Sequence, residues 1–160
     1  MKKVILAVAL LVAAGFASAA DVGVYGLYGK GTNGKSEDAL GVSLSDKFGK
    51  IDPRLAKVGG QLTFDRSTTN VTTLNRYTAT ATYDVYKIGP VQTNVRAGVA
   101  YLQPQALKAS NGGAGLIGAG VSYPVAKNVN LVADYAYQKG NNITKNYNGN
   151  IFTAGAKYSF

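Results

Sequence analysis

Apolar and polar residues alternate with a period of two along most of this chain. The clearest segment is residues 76–86, where tyrosine, alanine and valine at positions 77–85 alternate with Thr78, Thr80, Thr82 and Asp84. Residues 91–101 repeat the alternation after a short connection at residues 87–90. Alternation of this kind predicts strands with one apolar and one polar face.

The same pattern predicts eight strands in all, at residues 21–29, 40–45, 58–65, 76–86, 91–101, 116–123, 129–137 and 151–160. Four polar connections rich in Gly, Asn and Thr lie at residues 29–36, 66–76, 103–115 and 138–150. Short turns lie at residues 87–90 and 124–129, whereas the connection at 46–57 is long for a turn. An even strand number with alternating short and long connections is typical of a closed antiparallel barrel.

The composition of the polar faces indicates whether these faces line a lumen or contact bulk water. They carry Thr, Gln, Asn, Gly and Ser, and their mid-strand charges are Asp84, Arg96, Asp134 and Lys157. A water-facing sheet usually carries many Lys and Glu residues, whereas the charges of a narrow lumen must pair with one another. We therefore expect ion pairs in the lumen among these four residues. Asp134 would lie close to opposite Lys157, and Asp84 and Arg96 would lie on neighbouring strands, offset along the hairpin. The alternative is a soluble barrel with its apolar face inside.

The first 20 residues have the layout of a secretory signal peptide. Lys2 and Lys3 precede an apolar run at residues 4–14, and small residues at 17–20 provide a cleavage site. This run is shorter than the roughly 20 apolar residues of a spanning helix. The sequence therefore predicts a cleaved segment at residues 1–20 and one domain at residues 21–160.

The C-terminal residues carry a specific motif, with a polar residue, a glycine and two aromatics at Thr153, Gly155, Tyr158 and Phe160. This order resembles the sorting signal of bacterial outer-membrane β-barrels, which the barrel assembly machinery recognises. With the signal peptide and the strand count, the chain resembles the small eight-stranded barrels of outer-membrane protein A, the Ail/Lom adhesins and the opacity-type proteins. The resemblance implies an eight-stranded antiparallel up-and-down transmembrane barrel, with both termini in the periplasm and four loops outside the cell.

The composition argues against catalysis. The chain contains no histidine and no cysteine, which removes the commonest general base and the thiolate metal ligands. Barrel enzymes that act on lipid A use a histidine beside a serine, so that chemistry cannot be carried over here. Glu37 and Asp38 are adjacent, and neighbours on a strand point to opposite faces. We predict a protein with no catalytic, cofactor or metal site.

Positive charge is concentrated at both ends of the predicted barrel. At the external rim we place seven cations against the acids Glu37, Asp38 and Asp65: Lys30, Lys35, Arg66, Arg76, Lys108, Lys139 and Lys145. Such a rim could neutralise lipopolysaccharide phosphates, or it could serve to anchor the barrel and solubilise the loops. No nucleic-acid-binding motif is present.

Two functional classes follow from this organisation. The first is an outer-membrane protein with a structural or surface-interaction role, adhesin-like, binding an extracellular ligand through loops 29–36, 66–76, 103–115 and 138–150. The second is a narrow small-solute channel. A soluble periplasmic ligand-binding barrel of the lipocalin kind is a third, more distant interpretation.

Overall fold

The structure is a computed structural model that describes residues 21–31, 36–50, 52–68, 73–105, 110–141, 144 and 147–160. The predicted signal segment at residues 1–20 lies outside the described residues, as do parts of the four polar connections. Lys35, Lys108 and Lys145, which were placed at the external rim, fall in these parts.

The described chain is built from eight strands, as predicted. They are β1 (Asp21–Gly31), β2 (Ser36–Lys47), β3 (Val58–Thr68), β4 (Thr73–Ile88), β5 (Val91–Pro104), β6 (Gly112–Ala126), β7 (Val129–Gly140) and β8 (Gly149–Ser159). Each strand pairs antiparallel with its neighbours in chain order, and β8 pairs with β1 from Asp21↔Ser159 to Gly31↔Gly149. The sheet is thus a closed up-and-down barrel.

The two ends of the barrel differ in their connections. One, here called the loop end, carries residues 32–35, 69–72, 105–111 and 141–148. The other, the terminal end, carries the first residue of β1, the last residue of β8 and the tight turns at residues 89–90 and 127–128. Gly89 has φ +57° in the first of these turns, a left-handed conformation that glycine adopts without strain.

The strands are longer than the sequence predicted, and the connections at the loop end are correspondingly shorter. The predicted loop at residues 66–76 is reduced to four residues, because β3 continues to Thr68 and β4 begins at Thr73. The same extension shortens the other three loops. Ladder hydrogen bonds join backbone groups whatever the side chains, so pairing continues where the apolar and polar alternation stops.

The long connection between β2 and β3 is a structured segment at the terminal end. It contains two single-turn 3₁₀ helices, Phe48–Lys50 and Pro53–Leu55. Asp52 caps the second one, because its Oδ1 accepts a hydrogen bond of 2.9 Å from the backbone N–H of Arg54. The Phe48 ring lies against Gly60 of β3, on the outer side of the barrel.

The outer surface of the barrel is apolar. Leu40 is 79% exposed, Ile117 66% and Phe160 71%, while the alternate residues of the same strands point inward. A soluble barrel has the opposite arrangement, since it places its apolar side chains inside. No helix within the described residues has the length and hydropathy needed to cross a membrane.

Inside the barrel, Tyr25 is seated between two glycines. Its direct partners across the ladder are Gly41 on β2 and Gly155 on β8. A methyl group added at Gly41 would overlap the Tyr25 ring, and one added at Gly155 would overlap the backbone of β1. The two missing side chains therefore allow the ring to lie across its neighbours and fill the lumen.

We predict that Gly41→Val lowers the free energy of unfolding by about 1–3 kcal/mol, the usual cost of overpacking. The measurement is urea unfolding of the refolded protein in lipid vesicles. Gly115→Ala is the control, because a methyl group there meets no atom within 4 Å. Adding Tyr25→Leu to Gly41→Val should recover part of the loss; equal stability of Gly41→Val and Gly115→Ala would contradict this packing.

Candidate functional site

The lumen holds a buried ionic cluster nearer the loop end, here called the upper network: Tyr25, Glu37, Asp65 and Arg76. Arg76 is 2% exposed. Its Nη2 lies 2.6 Å from Glu37 Oε1, and its Nη1 lies 3.5 Å from Asp65 Oδ1. The hydroxyl of Tyr25 donates to Asp65 Oδ2 at 3.3 Å. One guanidinium thus compensates two carboxylates from neighbouring strands.

A second cluster, the lower network, comprises Gln61, Arg96, Asp134, Thr153 and Lys157. Arg96 Nη2 lies 2.9 Å from Asp134 Oδ2 and 3.0 Å from Gln61 Oε1. Thr153 donates its hydroxyl to the same carboxylate at 3.2 Å. Lys157 lines the same cavity as Arg96 and Asp134. The network therefore links β3, β5, β7 and β8 across the barrel.

The structure corrects the expected ion pairs. Asp134 lies opposite Thr153, and Lys157 lies opposite Asn130, so Asp134 and Lys157 are not direct partners across the ladder. The observed register is within one residue of a hairpin symmetric about the 138–150 connection, and Lys157 lies four positions beyond Thr153 on β8. The carboxylate of Asp134 pairs with Arg96 from β5 instead.

Asp84 also has a different partner from the one expected. It lies opposite Asn94, whereas Arg96 lies opposite Thr82. Asp84 forms its ion pair with the ammonium group of Lys47, at the terminal end of β2. Because β4 pairs with β3 and β3 pairs with β2, the terminal ends of β4 and β2 lie close together, and Asp84 reaches Lys47 inside the barrel. The β4–β5 hairpin, from which the partner of Asp84 was predicted, gives no indication of this contact.

Three charges that were placed at the external rim lie in the lumen. Glu37, Asp65 and Arg76 occupy the inward positions of β2, β3 and β4. The available signal was the two-residue period itself, because Arg76 continues the inward series of Thr78 and Thr80. With these corrections the described part of the lumen contains five acids and four bases: Glu37, Asp65, Asp84, Asp134 and, at the terminal end of β1, Asp21, against Lys47, Arg76, Arg96 and Lys157.

An apolar cluster closes the lumen at the loop end. Here called the outer cap, it comprises Leu74, Ala100, Leu102 and Ala114, with Leu116 and Tyr147 packed against it. Strand polarity is therefore inverted at this end, with apolar residues inside. Burial raises the pKa of the Tyr147 phenol, and the nearby Glu37 carboxylate adds to the increase.

Residues from the β7–β8 connection hold this closure in place. The backbone N–H of Asn141 donates to Gly113 O at 3.1 Å, and the hydroxyl of Thr144 donates to the same carbonyl at 2.8 Å. The side-chain amide of Gln138 donates to Tyr147 O at 2.9 Å. Gln138 of β7 and Thr144 are fully buried, so the described residues Asn141, Thr144 and Tyr147 of the connection lie against the mouth of the barrel.

Little open space is left between the two networks. A cavity of about 60 Å³ lies in the lumen, lined by residues that include Gln61, Thr80, Arg96 and Lys157. Since one water molecule takes about 30 Å³ in the liquid, this volume suits a few water molecules. Among the described residues, no cluster of carboxylates suited to a metal ion was found.

The C-terminal motif divides between the two faces of β8. Thr153 and Gly155 point into the lumen, where one binds Asp134 and the other leaves room for Tyr25. Tyr158 and Phe160 point outward, with ring centroids 4.9 Å apart and planes at 72°. Thr153 and Gly155 thus have packing roles in the barrel, independent of any role in sorting.

Solved structures share this architecture. Neither a family model nor a curated protein sequence matches the chain. Neisserial surface protein A matches with a TM-score of 0.66 and 19% identity, over 89% of this chain and 96% of that chain. The chain has the fold of the small outer-membrane β-barrels.

Two further structures support this assignment. A major outer membrane protein from Thermus thermophilus matches with a TM-score of 0.62 and 14% identity, over 88% of this chain and 99% of that one. Ail, the attachment invasion locus protein of Yersinia pestis, matches with a TM-score of 0.55 and 15% identity, over 89% and 97%. At these identities the likeness concerns the fold, including the closed eight-stranded sheet.

We predict that Arg76→Met lowers the free energy of unfolding by about 3–5 kcal/mol, because it leaves Glu37 and Asp65 buried without their cation. Denaturant unfolding in vesicles measures the change. Arg66→Met is the matched control, since Arg66 is exposed on the outward side of the adjacent strand. Equal losses for the two variants would show that the upper network contributes nothing specific.

Proposed function

We propose that the protein is an integral outer-membrane barrel with a structural and surface-interaction role and no catalytic activity. The observation that carries this proposal is the distribution of polarity. The outer surface is apolar, the charges of the lumen are compensated, and the outer cap fills the mouth of the barrel. A barrel with such a surface is stable in hydrocarbon, and it can contact molecules outside the membrane only through its two ends.

The predicted export signals support the location. The segment at residues 1–20 would direct export and be removed, and the motif ending in Tyr158 and Phe160 would engage the barrel assembly machinery. Short turns are periplasmic in barrels of this type. We therefore assign the terminal end to the periplasm and the loop end to the cell exterior.

Basic residues support a surface-interaction role for the loop end. Lys30, Arg66 and Lys139 are exposed and point outward there, and the sequence places Lys35, Lys108 and Lys145 in the adjoining connections. Ail, which shares the fold, has a structure in complex with the heparin analogue sucrose octasulfate. We infer that an anionic extracellular ligand is the class that this end suits, although its connections are shorter than expected.

The membrane location can be tested by cell fractionation. The protein should be recovered in the outer-membrane fraction and migrate faster in mild SDS before boiling than after it, because a closed ladder resists SDS until heated. Recovery in a periplasmic extract without such a shift would refute the membrane location and favour a soluble barrel.

Planar bilayer recordings complete this test by separating a structural barrel from a channel. We expect no steady single-channel steps from the purified protein, because the outer cap and the paired charges fill the lumen. Regular steps that Arg76→Met or Arg96→Met alters would instead establish the narrow channel as the function.

Phe160 provides a prediction about assembly. Because its side chain is largely exposed on the folded barrel and its ring packs against Tyr158, we predict that Phe160→Ala lowers the stability of refolded protein by no more than about 1.5 kcal/mol, the scale of one aromatic pair. It should nevertheless lower accumulation in the outer membrane severalfold. Tyr86→Ala is the control, since Tyr86 is also an exposed aromatic residue near the terminal end. Similar accumulation of both variants would argue against a sorting role for Phe160.

A further inference from the structure

The upper network contains more acid than base. Glu37 and Asp65 contribute two carboxyl groups to it, and Arg76 contributes one guanidinium. The remaining inward charges of the described residues balance one another, with three acids against three bases: Asp21, Asp84 and Asp134 against Lys47, Arg96 and Lys157. The excess negative charge in the described part of the lumen therefore belongs to the upper network.

The two carboxyl groups are not equivalent partners of Arg76. Glu37 Oε1 accepts a hydrogen bond of 2.6 Å from Nη2, whereas Asp65 Oδ1 lies 3.5 Å from Nη1 and has no hydrogen-bond partner among the described residues. The side chain of Asp65 is also more deeply buried, at 2% exposed against 17% for Glu37. A buried carboxyl group without sufficient compensation is more stable in its neutral form. Asp65 is therefore the group that gains most from a proton.

No second cation compensates Asp65. The charged and titratable groups that line the same cavity are Tyr25, Arg76, Arg96, Asp134 and Lys157. Arg96 is paired with Asp134 at 2.9 Å, and Lys157 lies one ladder row nearer the terminal end than Tyr25. On the loop-end side, the phenol of Tyr147 lies near Glu37 and brings no positive charge. Within the described residues, the ion pair of Asp65 is with Arg76, which it shares with Glu37.

We propose that Asp65 is a proton-binding site, and that its carboxyl group is protonated in the folded barrel at pH 5.5, where a free aspartic acid is almost wholly ionised. The proton is bonded to Oδ2. The 3.3 Å hydrogen bond to Tyr25 is then reversed, because a phenol oxygen can accept as well as donate. Oδ1 remains a carbonyl oxygen facing Arg76. The upper network is left with one carboxylate, on Glu37, and one guanidinium.

This proton makes the stability of the barrel depend on pH. In the unfolded chain Asp65 is exposed to water and releases its proton above about pH 4. The folded state then binds one proton more than the unfolded chain, so the unfolding equilibrium constant rises by up to about tenfold per pH unit until the folded state also releases the proton. Acidification from neutral pH therefore stabilises the barrel. Because the chain contains no histidine, ordinary side chains contribute little to this dependence between about pH 5.5 and 7.

The direct test is NMR spectroscopy of the refolded protein in phosphatidylcholine nanodiscs, with aspartate labelled with carbon-13 at the side-chain carboxyl. The chemical shift of this carbon reports the protonation of its own group. We expect the Asp65 carboxyl, identified by the signal that Asp65→Asn removes, to be protonated at pH 5.5. The Asp134 carboxyl, identified in the same way, should be ionised, because Arg96 compensates it one to one.

Glu37→Gln tests whether the shared guanidinium causes the protonation. Without the competing carboxylate, Arg76 compensates Asp65 alone, so the Asp65 signal at pH 5.5 should move to the position of an ionised group. Asp38→Asn is the matched control, since it removes an acid from the exposed, outward side of the same strand. In that variant Asp65 should stay protonated.

Denaturant unfolding in vesicles measures the consequence for stability. Between pH 4.5 and 5.5, the unfolding constant of the parent should rise about five- to tenfold relative to that of Asp65→Asn, in which the titrating group is gone. At pH 5.5 the two constants should agree within about threefold, because the amide replaces a neutral acid of the same shape. Asp134→Asn should instead raise the unfolding constant by about a hundredfold, because it leaves Arg96 buried without its carboxylate.

Three outcomes would overturn the proposal. An ionised Asp65 in the parent at pH 5.5 would refute it, and a further loss of stability when sodium is replaced by choline would then identify a bound cation in place of the proton. Protonation that persists in Glu37→Gln would assign the effect to burial alone. Losses of equal size in Asp65→Asn and Asp134→Asn would show that both carboxyl groups are ionised. If Asp65→Asn does not refold, the labelled spectra of the parent, Glu37→Gln and Asp38→Asn still decide the question.

Discussion

The structure depends on one requirement, that no polar group be left unpaired toward hydrocarbon. Pairing of β8 with β1 satisfies the backbone, because it removes the free edges that an open sheet would expose. Once the ladder is closed, the side chains along each strand point alternately outward and inward. The apolar belt and the polar lumen are therefore two consequences of one constraint, and the period of two in the sequence records both.

The lumen meets its part of this requirement by charge compensation distributed over strands distant in the sequence. Glu37 and Asp65 share Arg76, Arg96 joins Asp134, and Lys47 joins Asp84. These pairs tie β2, β3 and β4 together and connect β5 to β7 across the interior. At the loop end the constraint reverses: water lies outside, and the apolar outer cap fills the interior.

Strand number, strand direction and the choice of the outward face could all be predicted from sequence, because each depends on local alternation. The ion pairs could not. Their partners depend on the register of the ladder and on contacts across the lumen: Asp134 of β7 pairs with Arg96 of β5, a strand to which no hairpin joins it. Strand ends were also mispredicted, since Leu74 and Leu102 lie inside a cap where the usual barrel polarity is inverted. Glu37 and Arg76 were assigned to the rim because the second and fourth strands were predicted to begin at residues 40 and 76, whereas β2 begins at Ser36 and β4 at Thr73.

The pairing of Asp21 with Ser159 has a consequence for how the barrel is made. These residues are separated by 138 positions, so the contact that completes the ladder is also the most distant in sequence. Non-local pairing of this kind is slow, because chain entropy must be lost before the contact forms. Until β8 arrives, β1 and β7 each retain an open edge with unpaired hydrogen-bonding groups. The nascent protein must therefore stay protected from aggregation until its last strand is available.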